Sequence, residues 1–332
     1  MMKKIIAYNR VEEPVLSQLR QKYDVHFFEE IDTKSDPHFL EQLQTTEGII
    51  GMGLPVDKTL LDRAPRLKIV SNVSVGYNNL DIEQLSKRGI MATHTPEVLN
   101  DTVADAIFGI LLATARRIPE LDRMVKRGEW TTEAIDTAYY GTDVHHKTLG
   151  IIGMGRIGEA IAQRAHHGFN MKILYHNRTR KREAEKNYNA TYCSLDDLLQ
   201  QSDFVCLMTP LTPETKGLIG KREFQLMKKS AIFINGSRGQ TVIENDLVEA
   251  LQNGDIAASG LDVFEKEPID PNHPLLQMKH VVTTPHIGSS TRATERKMSE
   301  LAAFNLEEGL NGRKPPHLID PAVWQTIQMH RG

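Results

Sequence analysis

The sequence predicts an α/β protein of two Rossmann-like, parallel-sheet domains, and three observations predict it. The chain has 332 residues, 40% of them hydrophobic, which is long for one compact domain and supplies apolar surface for two cores. Short β-rich runs alternate with polar, helix-compatible stretches in two separate series, the βαβ pattern of a parallel sheet. The second series opens on a glycine-rich turn set between an apolar strand and a helical run.

The first series occupies residues 3 to about 100 and reads KKIIAY, DVHFFE, EGIIGM, LKIVSNVS and GIMATH. From Asn100 to Arg117 apolar residues become too dense for an exposed helix, so a buried helix is expected, with Asp101 or Thr102 as its cap. A mixed loop from Gly128 to His146 follows. The second series then offers six strand candidates, KTLGIIGMG, MKILYH, FVCLMTP, SAIFING, ASGLDVF and HVVTTPHI, which is the number in a dinucleotide-binding sheet. Residues 292 to about 310 are again helical, and the prolines of GRKPPHLIDP mark an irregular terminal segment.

Charge narrows the partners. Acidic and basic residues nearly balance, 43 against 40, and no block of like charge forms a nucleic-acid arm, so no nucleic acid is expected and small molecules are. MMKKIIAYNR reads as a first strand because Asn9 and Arg10 interrupt its apolar run, and no stretch reaches the roughly 20 apolar residues of a membrane span. No membrane partner is expected. Cys193 and Cys206 lack metal-ligand spacing and are read as buried small residues in a reducing, cytoplasmic compartment. His145 and His146, at a strand entrance, should point apart, and no metal is assigned.

The glycine-rich turn is Gly153-Met-Gly155-Arg156-Ile157-Gly158. Gly153 permits a tight turn, Gly155 lets the backbone approach a pyrophosphate, and Gly158 lets the helix pack on the strand, while the helix start supplies aligned N–H donors. A nicotinamide dinucleotide is the implied cofactor. NAD-preferring sites carry an acid at the end of the second strand, but this chain reads Tyr175-His176-Asn177-Arg178-Thr179-Arg180. With no carboxylate to repel a 2′-phosphate and two guanidiniums able to bind one, NADPH is expected over NADH.

Arg238, Glu267 and His286 lie just past the ends of three strand candidates, where open α/β sheets bind their ligands. An arginine can grip a carboxylate and polarise the adjacent carbonyl, a histidine can supply a proton, and a glutamate can hold that histidine charged and oriented. Together these residues suit reduction of a 2-keto acid by hydride from the cofactor.

At this point the chain resembles the D-isomer-specific 2-hydroxyacid dehydrogenase family, within it the bacterial glyoxylate/hydroxypyruvate reductases that also act as 2-ketogluconate reductases. The resemblance runs almost end to end. It is carried by SVGYNNLD at 74–81, VLNDTVADAIFGILLATARRI at 98–118, YGTDVHHKTLGIIGMGRIGEAIAQRAHHGFNMKILYHNRT at 140–179, SDFVCLMTPLTPETKGLIG at 202–220 and the three active-site segments. It implies a flavodoxin-like substrate domain made of both chain ends, 1–100 plus 291–332, with the dinucleotide-binding domain, 101–290, inserted between them.

By the same resemblance Arg238 binds the substrate carboxylate and keto oxygen, His286 is the general acid, and Glu267 orients it. Backbone N–H groups at Val75 and Gly76 hold the other side of the carboxylate. On sequence, Leu54 and Trp130 read either as neighbours of the substrate's far end or as ordinary packing residues. Thr102, Asn177, Arg178 and Thr179 join the fingerprint residues around the cofactor, with Thr209, Pro210 and Thr215 near its adenosine half and Asp262 and Gly288 near the nicotinamide. The related formate dehydrogenases carry glutamine where Glu267 stands, which argues against formate. Trp130 and the two tyrosines of the loop GEWTTEAIDTAYYG, together with the resemblance, favour a homodimer.

Two alternatives remain open on sequence. A phosphoglycerate-type, NAD-dependent dehydrogenase is disfavoured by the second-strand end and by the lack of an appended regulatory domain. A non-catalytic nucleotide-sensing protein on the same fold would bind the dinucleotide without turnover.

Overall fold

The protein is described by a computed structural model covering residues 2–329. Its contacts divide it into two units, residues up to Leu99 with those from Ser290 onward, and Asn100–Ser289.

The first unit holds five parallel strands, β1 (Lys4–Tyr8), β2 (Asp24–Phe28), β3 (Gly48–Gly51), β4 (Ile69–Asn72) and β5 (Met91–Thr93), in the order β2-β1-β3-β4-β5. This is the flavodoxin-like order, whose direction of winding reverses between β1 and β3. Every residue of β3 and β4 is buried, which is why these strands read as unbroken runs rather than alternating ones. Asp36, Asp57 and Asp81 begin the crossover helices by accepting a backbone N–H three residues on, each such cap contributing about 1 kcal/mol.

The C-terminal helix Arg292–Leu310 packs on β3 and β4. Its approach is close because Gly309 has no side chain: a Cβ there would lie 2.6 Å from Ile69 Cδ1. Ser71 Oγ donates to the Ala302 carbonyl at 2.7 Å, and Met298 and Leu306 are fully buried, each worth about 1.5–3 kcal/mol of burial. These contacts tie the chain's end to its beginning. Beyond the proline segment lies a further helix, Ala322–Met329, where the sequence reading has only irregular structure. Pro321 stands immediately before it, at a place where proline opens a helix as readily as it ends one.

The second unit holds seven parallel strands: β6 (Thr148–Ile152), β7 (Lys172–His176), β8 (Thr191–Tyr192), β9 (Phe204–Leu207), β10 (Ile232–Asn235), β11 (Ala258–Leu261) and β12 (Val281–Thr283). Their order is β12-β11-β10-β9-β6-β7-β8, a six-stranded dinucleotide-binding sheet extended by one strand. The count corrects the sequence reading: β8 is the third strand of the six, and HVVTT supplies the extra one. Two exposed residues, Thr191 and Tyr192, are too short a run to show alternation.

The helix Asn100–Ala115 packs on β10 and β11, burying among others Ile107, Phe108 and Leu111. It begins at Asn100, so Asp101 and Thr102 stand inside its first turn and are not caps. An acid is favoured anywhere in that turn by the exposed N–H groups, so its presence does not locate the boundary. The chain then turns through Arg117, at φ 55°, into the helix Ile118–Lys126, none of whose residues is buried. His145 and His146 also differ from expectation. They precede β6, His146 has φ 62°, and their rings meet edge to face at 5.2 Å rather than pointing apart. The positive φ removes the alternation that a strand would impose.

Candidate active site

β10 ends at Asn235, a buried amide that shapes the turn carrying Arg238. Asn235 Oδ1 accepts from the Ser237 N–H and hydroxyl at 3.0 and 2.8 Å, and its Nδ2 donates to the Arg238 carbonyl at 3.2 Å. The Arg238 side chain donates once, to the Ser237 carbonyl at 2.7 Å. Burial lowers its pKa, and the nearby Glu267 charge opposes that shift. A guanidinium stays protonated in any case, so the site holds a half-buried cation with donors to spare.

Glu267 follows β11 on a loop fixed at several points. Glu244 Oε2 accepts the Glu265 N–H at 3.0 Å, and Gln240 Nε2 donates to the Glu265 carbonyl at 2.7 Å. Glu267 Oε1 accepts from the Phe264 N–H at 3.0 Å, and Oε2 meets His286 Nδ1 at 2.7 Å. Burial alone would raise this carboxyl. The His286 bond, the Phe264 N–H and the charges of His286 and Arg238 outweigh it and hold the pKa below the usual glutamate value.

His286 follows β12 on a loop held by Asp262. The carboxylate of Asp262, 2% exposed, accepts from Thr284 Oγ1 at 2.6 Å, the Ile287 N–H at 2.9 Å and the Gly288 N–H at 2.9 Å. His286 itself sits at φ 52°, a left-handed conformation uncommon outside glycine, though histidine adopts it more readily than most. With Nδ1 engaged by Glu267 and half of the ring exposed, Nε2 is the atom able to meet a substrate.

The fingerprint offers three observations that fit a dinucleotide. Gly153 lies at φ 101°, and a Cβ there would come within 2.7 Å of the Met208 carbonyl. Gly155 caps the helix Arg156–Phe169, and a Cβ on it would meet nothing within 4 Å, which leaves its outer face open to a ligand. Thr209 Oγ1, beyond β9, is buried with no hydrogen-bond partner among the described residues, as expected of a group awaiting one. Gly158 is buried beneath the turn, while Arg156 and Ile157 occupy the first helical positions.

The other expected cofactor residues are dispersed in role. Asn177 Nδ2 donates to the Thr179 carbonyl at 2.9 Å, shaping the turn after β7. Arg178 is exposed, but Arg180 is engaged in a two-point pair with Glu185, at 2.6 and 3.1 Å. One of the two guanidiniums expected to face a 2′-phosphate is thus already neutralised. Thr215 Oγ1 donates to the Pro210 carbonyl at 2.6 Å, a bond that shapes its own loop, and Thr102 lies in the first turn of the helix Asn100–Ala115.

In the first unit, Leu54 follows β3 while Val75 and Gly76 follow β4, all at the carboxyl edge of the sheet. The Leu54 side chain is 4% exposed and packs in the core with Ile6, Tyr8 and Val56, so only its backbone serves the loop. Sequence reasoning missed the polar side chains beneath these loops, Asn72 and Asn79. Asn79 stands in the quoted segment GYNN, but there it reads as an ordinary turn residue. Among the described residues no cluster of three metal-ligating side chains occurs, and no helix is long and apolar enough to cross a membrane.

A strand-ended Arg, Glu and His beside a dinucleotide fingerprint define a nicotinamide-dependent oxidoreductase, and comparison with known proteins names its family. Residues 108–288 match the model of the D-isomer specific 2-hydroxyacid dehydrogenase NAD binding domain. The chain belongs to this family of NAD(P)-dependent enzymes. Within it the chain stands close to the bacterial glyoxylate/hydroxypyruvate reductases: it is 48% identical over 319 residues to glyoxylate/hydroxypyruvate reductase B of Escherichia coli O6:H1, covering 96% of this chain and 98% of that one. Among solved structures, the TT0316 protein of Thermus thermophilus matches with a TM-score of 0.87 and 37% identity, over 96% of this chain and all (100%) of its own. The NADPH-dependent glyoxylate/hydroxypyruvate reductase of Sinorhizobium meliloti, in complex with NADP and malonate, matches with a TM-score of 0.87 and 31% identity, over 98% of each chain.

Proposed function

We propose that the protein is an NADPH-preferring reductase of glyoxylate, hydroxypyruvate and 2-ketogluconate, forming the D-2-hydroxy acids. The observation that carries this reading is the 2.7 Å bond between His286 Nδ1 and Glu267, within the field of a half-buried Arg238 charge. When bound, the nicotinamide supplies the hydride. Arg238 holds the substrate's carboxylate and keto oxygen and stabilises the negative charge that grows on that oxygen. His286, kept protonated and oriented by Glu267, delivers a proton from Nε2 to the same oxygen. On the first unit, the backbone N–H groups of Val75 and Gly76 are assigned to a substrate carboxylate. Asp262 acts through the loop it pins, holding His286 and the Gly288 backbone in place.

Cofactor preference rests on the turn after β7, whose residues 175–180 include no acid and where Arg178 is exposed. The NADP-bound relative supports the same choice. Because Glu185 occupies Arg180, Arg178 is the residue assigned to the 2′-phosphate. The exposed apolar side chains of Ile118, Val125, Trp130 and Tyr140 favour a homodimer, and the free thiols Cys193 and Cys206 favour the cytoplasm.

Absorbance loss of NADPH with the three keto acids, repeated with NADH and with Arg178→Ala, tests the reading. Turnover should be faster with NADPH at low cofactor, and Arg178→Ala should raise KM for NADPH about tenfold or more while leaving NADH unaffected. Tight NADPH binding without turnover on any of the three acids would replace the reductase by a nucleotide-sensing protein.

A further inference from the structure

The five-stranded sheet has a ligand edge of its own, shaped by side chains to which no role has yet been given. Its winding reverses between β1 and β3, so the loops after β1, β3 and β4 diverge around a switch point at the carboxyl edge. Side chains from the strand ends and the following loops hold this backbone from behind. Tyr8, the last residue of β1, accepts the Leu54 N–H at its hydroxyl, at 2.9 Å. Asn79 Nδ2 donates to the Leu54 carbonyl at 2.8 Å. Asn72, the last residue of β4, donates from Nδ2 to the Gly76 carbonyl at 2.8 Å. The two amides also face each other, each Nδ2 pointing at the other's Oδ1 at 3.5 and 3.4 Å.

Asn72 is 1% exposed, a burial that is unfavourable for an amide unless its hydrogen bonds are made. Here they are spent on the loop after β4, at the Gly76 carbonyl and the Asn79 amide, rather than on the sheet, and Asn79 in turn reaches the Leu54 loop. Both backbone groups of Leu54 are taken by side chains, and the amide pair joins that loop to the one at Gly76. A third contact completes the support: His94 Nδ1 lies 3.0 Å from the Val75 carbonyl. In a trans peptide the N–H points opposite to the carbonyl, so fixing the Val75 carbonyl aims the Gly76 N–H the other way. That N–H rests on Ser74 Oγ at 3.2 Å, a long neutral bond that a carboxylate oxygen would displace.

Resting on the reading that the Val75 and Gly76 N–H groups bind the substrate carboxylate, we propose that Asn72 and Asn79 are positioning residues for the 2-keto acid. Their paired amides tie the Leu54 loop to the Gly76 loop and so preform the anion cradle before substrate arrives. Neither side chain touches the substrate. Releasing the pair leaves the hydride and proton steps intact and weakens carboxylate capture.

The test is steady-state kinetics of full-length Asn79→Ala and Asn79→Asp with glyoxylate and hydroxypyruvate, alongside Gly76→Ala. Asn79→Asp keeps the side-chain volume but replaces the donor to the Leu54 carbonyl by an acceptor, so it reports even if the alanine variant folds poorly. The expected result is a rise of about tenfold in KM for both keto acids, with kcat and KM for NADPH within about twofold of the parent. A purely structural role would lower the active fraction, and hence kcat, at unchanged KM, and that result overturns the proposal. Gly76→Ala separates the two layers of argument. If it raises KM and the Asn79 variants do not, the clamp is wrong; if it too leaves KM unmoved, the cradle reading fails and takes the clamp with it.

Discussion

At the scale of single residues, one carboxylate sets the chemistry expected of one imidazole. Glu267 is held below the usual glutamate pKa by its bond to His286, the Phe264 N–H and the charges around it, against the effect of its own burial. A depressed carboxyl contributes its stabilising charge above the unfolded value of 4.5 and loses it only as pH falls through the lower folded value. Between pH 5 and 9 Glu267 therefore stays ionised and keeps its bond to the His286 ring. Reduction, measured as kcat/KM, should decline as pH falls below 4.5 through the lower Glu267 value, because the neutral carboxyl no longer pairs with the imidazole as an ion. Glu267→Gln should keep some activity but lose that acid-side decline, because an amide does not titrate. His286→Ala should lose about 10²–10⁴-fold in kcat. Full turnover in His286→Ala would put the acid elsewhere, and an acid-side decline that survives in Glu267→Gln would place it on another group.

At the scale of elements, what was legible in the sequence was what repeats over four or more residues. The five strands of the first sheet and the fingerprint strand and helix were readable because their runs are rich in aliphatic and aromatic residues and are set off by polar stretches and glycines. The third strand of the second sheet, Thr191–Tyr192, had no pattern to display. The seating of Arg292–Leu310 on the first sheet depends on contacts such as Gly309 against Ile69, which link positions far apart in sequence and leave no local mark. In the candidate site the ionisable residues were visible as chemistry, Asp262 among them, but the backbone groups that Asp262 and Asn79 bond are ones that only the fold brings near. The pairing of Arg180 with Glu185 was hidden for the same reason.

The fingerprint turn makes an element-scale prediction. Gly153→Ala places a Cβ on a residue at φ 101° and within 2.7 Å of the Met208 backbone. Left-handed strain and the clash together should cost at least about 2 kcal/mol. In a unit of this size that lowers Tm by roughly 4–8 °C. Thermal unfolding followed by circular dichroism measures it, and an unchanged Tm would mean that the strand-to-helix turn relaxes freely. NADPH affinity should fall as well, because the turn sets the N–H donors of the helix Arg156–Phe169.

At the scale of the whole molecule, the surface of the second unit is the feature least explained by a lone chain. The helix Ile118–Lys126 buries none of its residues, yet Ile118 and Val125, two turns apart on one face, are 53% and 51% exposed. Trp130 and Tyr140, on the segment that follows, are 56% and 62% exposed. Fully burying an isoleucine or valine side chain gains about 1.5–3 kcal/mol, and aromatic residues are enriched at interface cores, so a second copy of the chain would recover energy that the isolated unit leaves unused. Sedimentation equilibrium at micromolar concentration should return twice the chain mass. The double variant Ile118→Asp/Val125→Asp should return the single mass, because two carboxylates facing their own symmetry mates cannot be desolvated without loss. Circular dichroism of that variant should match the parent, since neither side chain belongs to the unit's core. A parent that sediments as a monomer would leave this apolar face without the partner assigned to it, and a dimer that survives both aspartates would place the interface elsewhere on the chain.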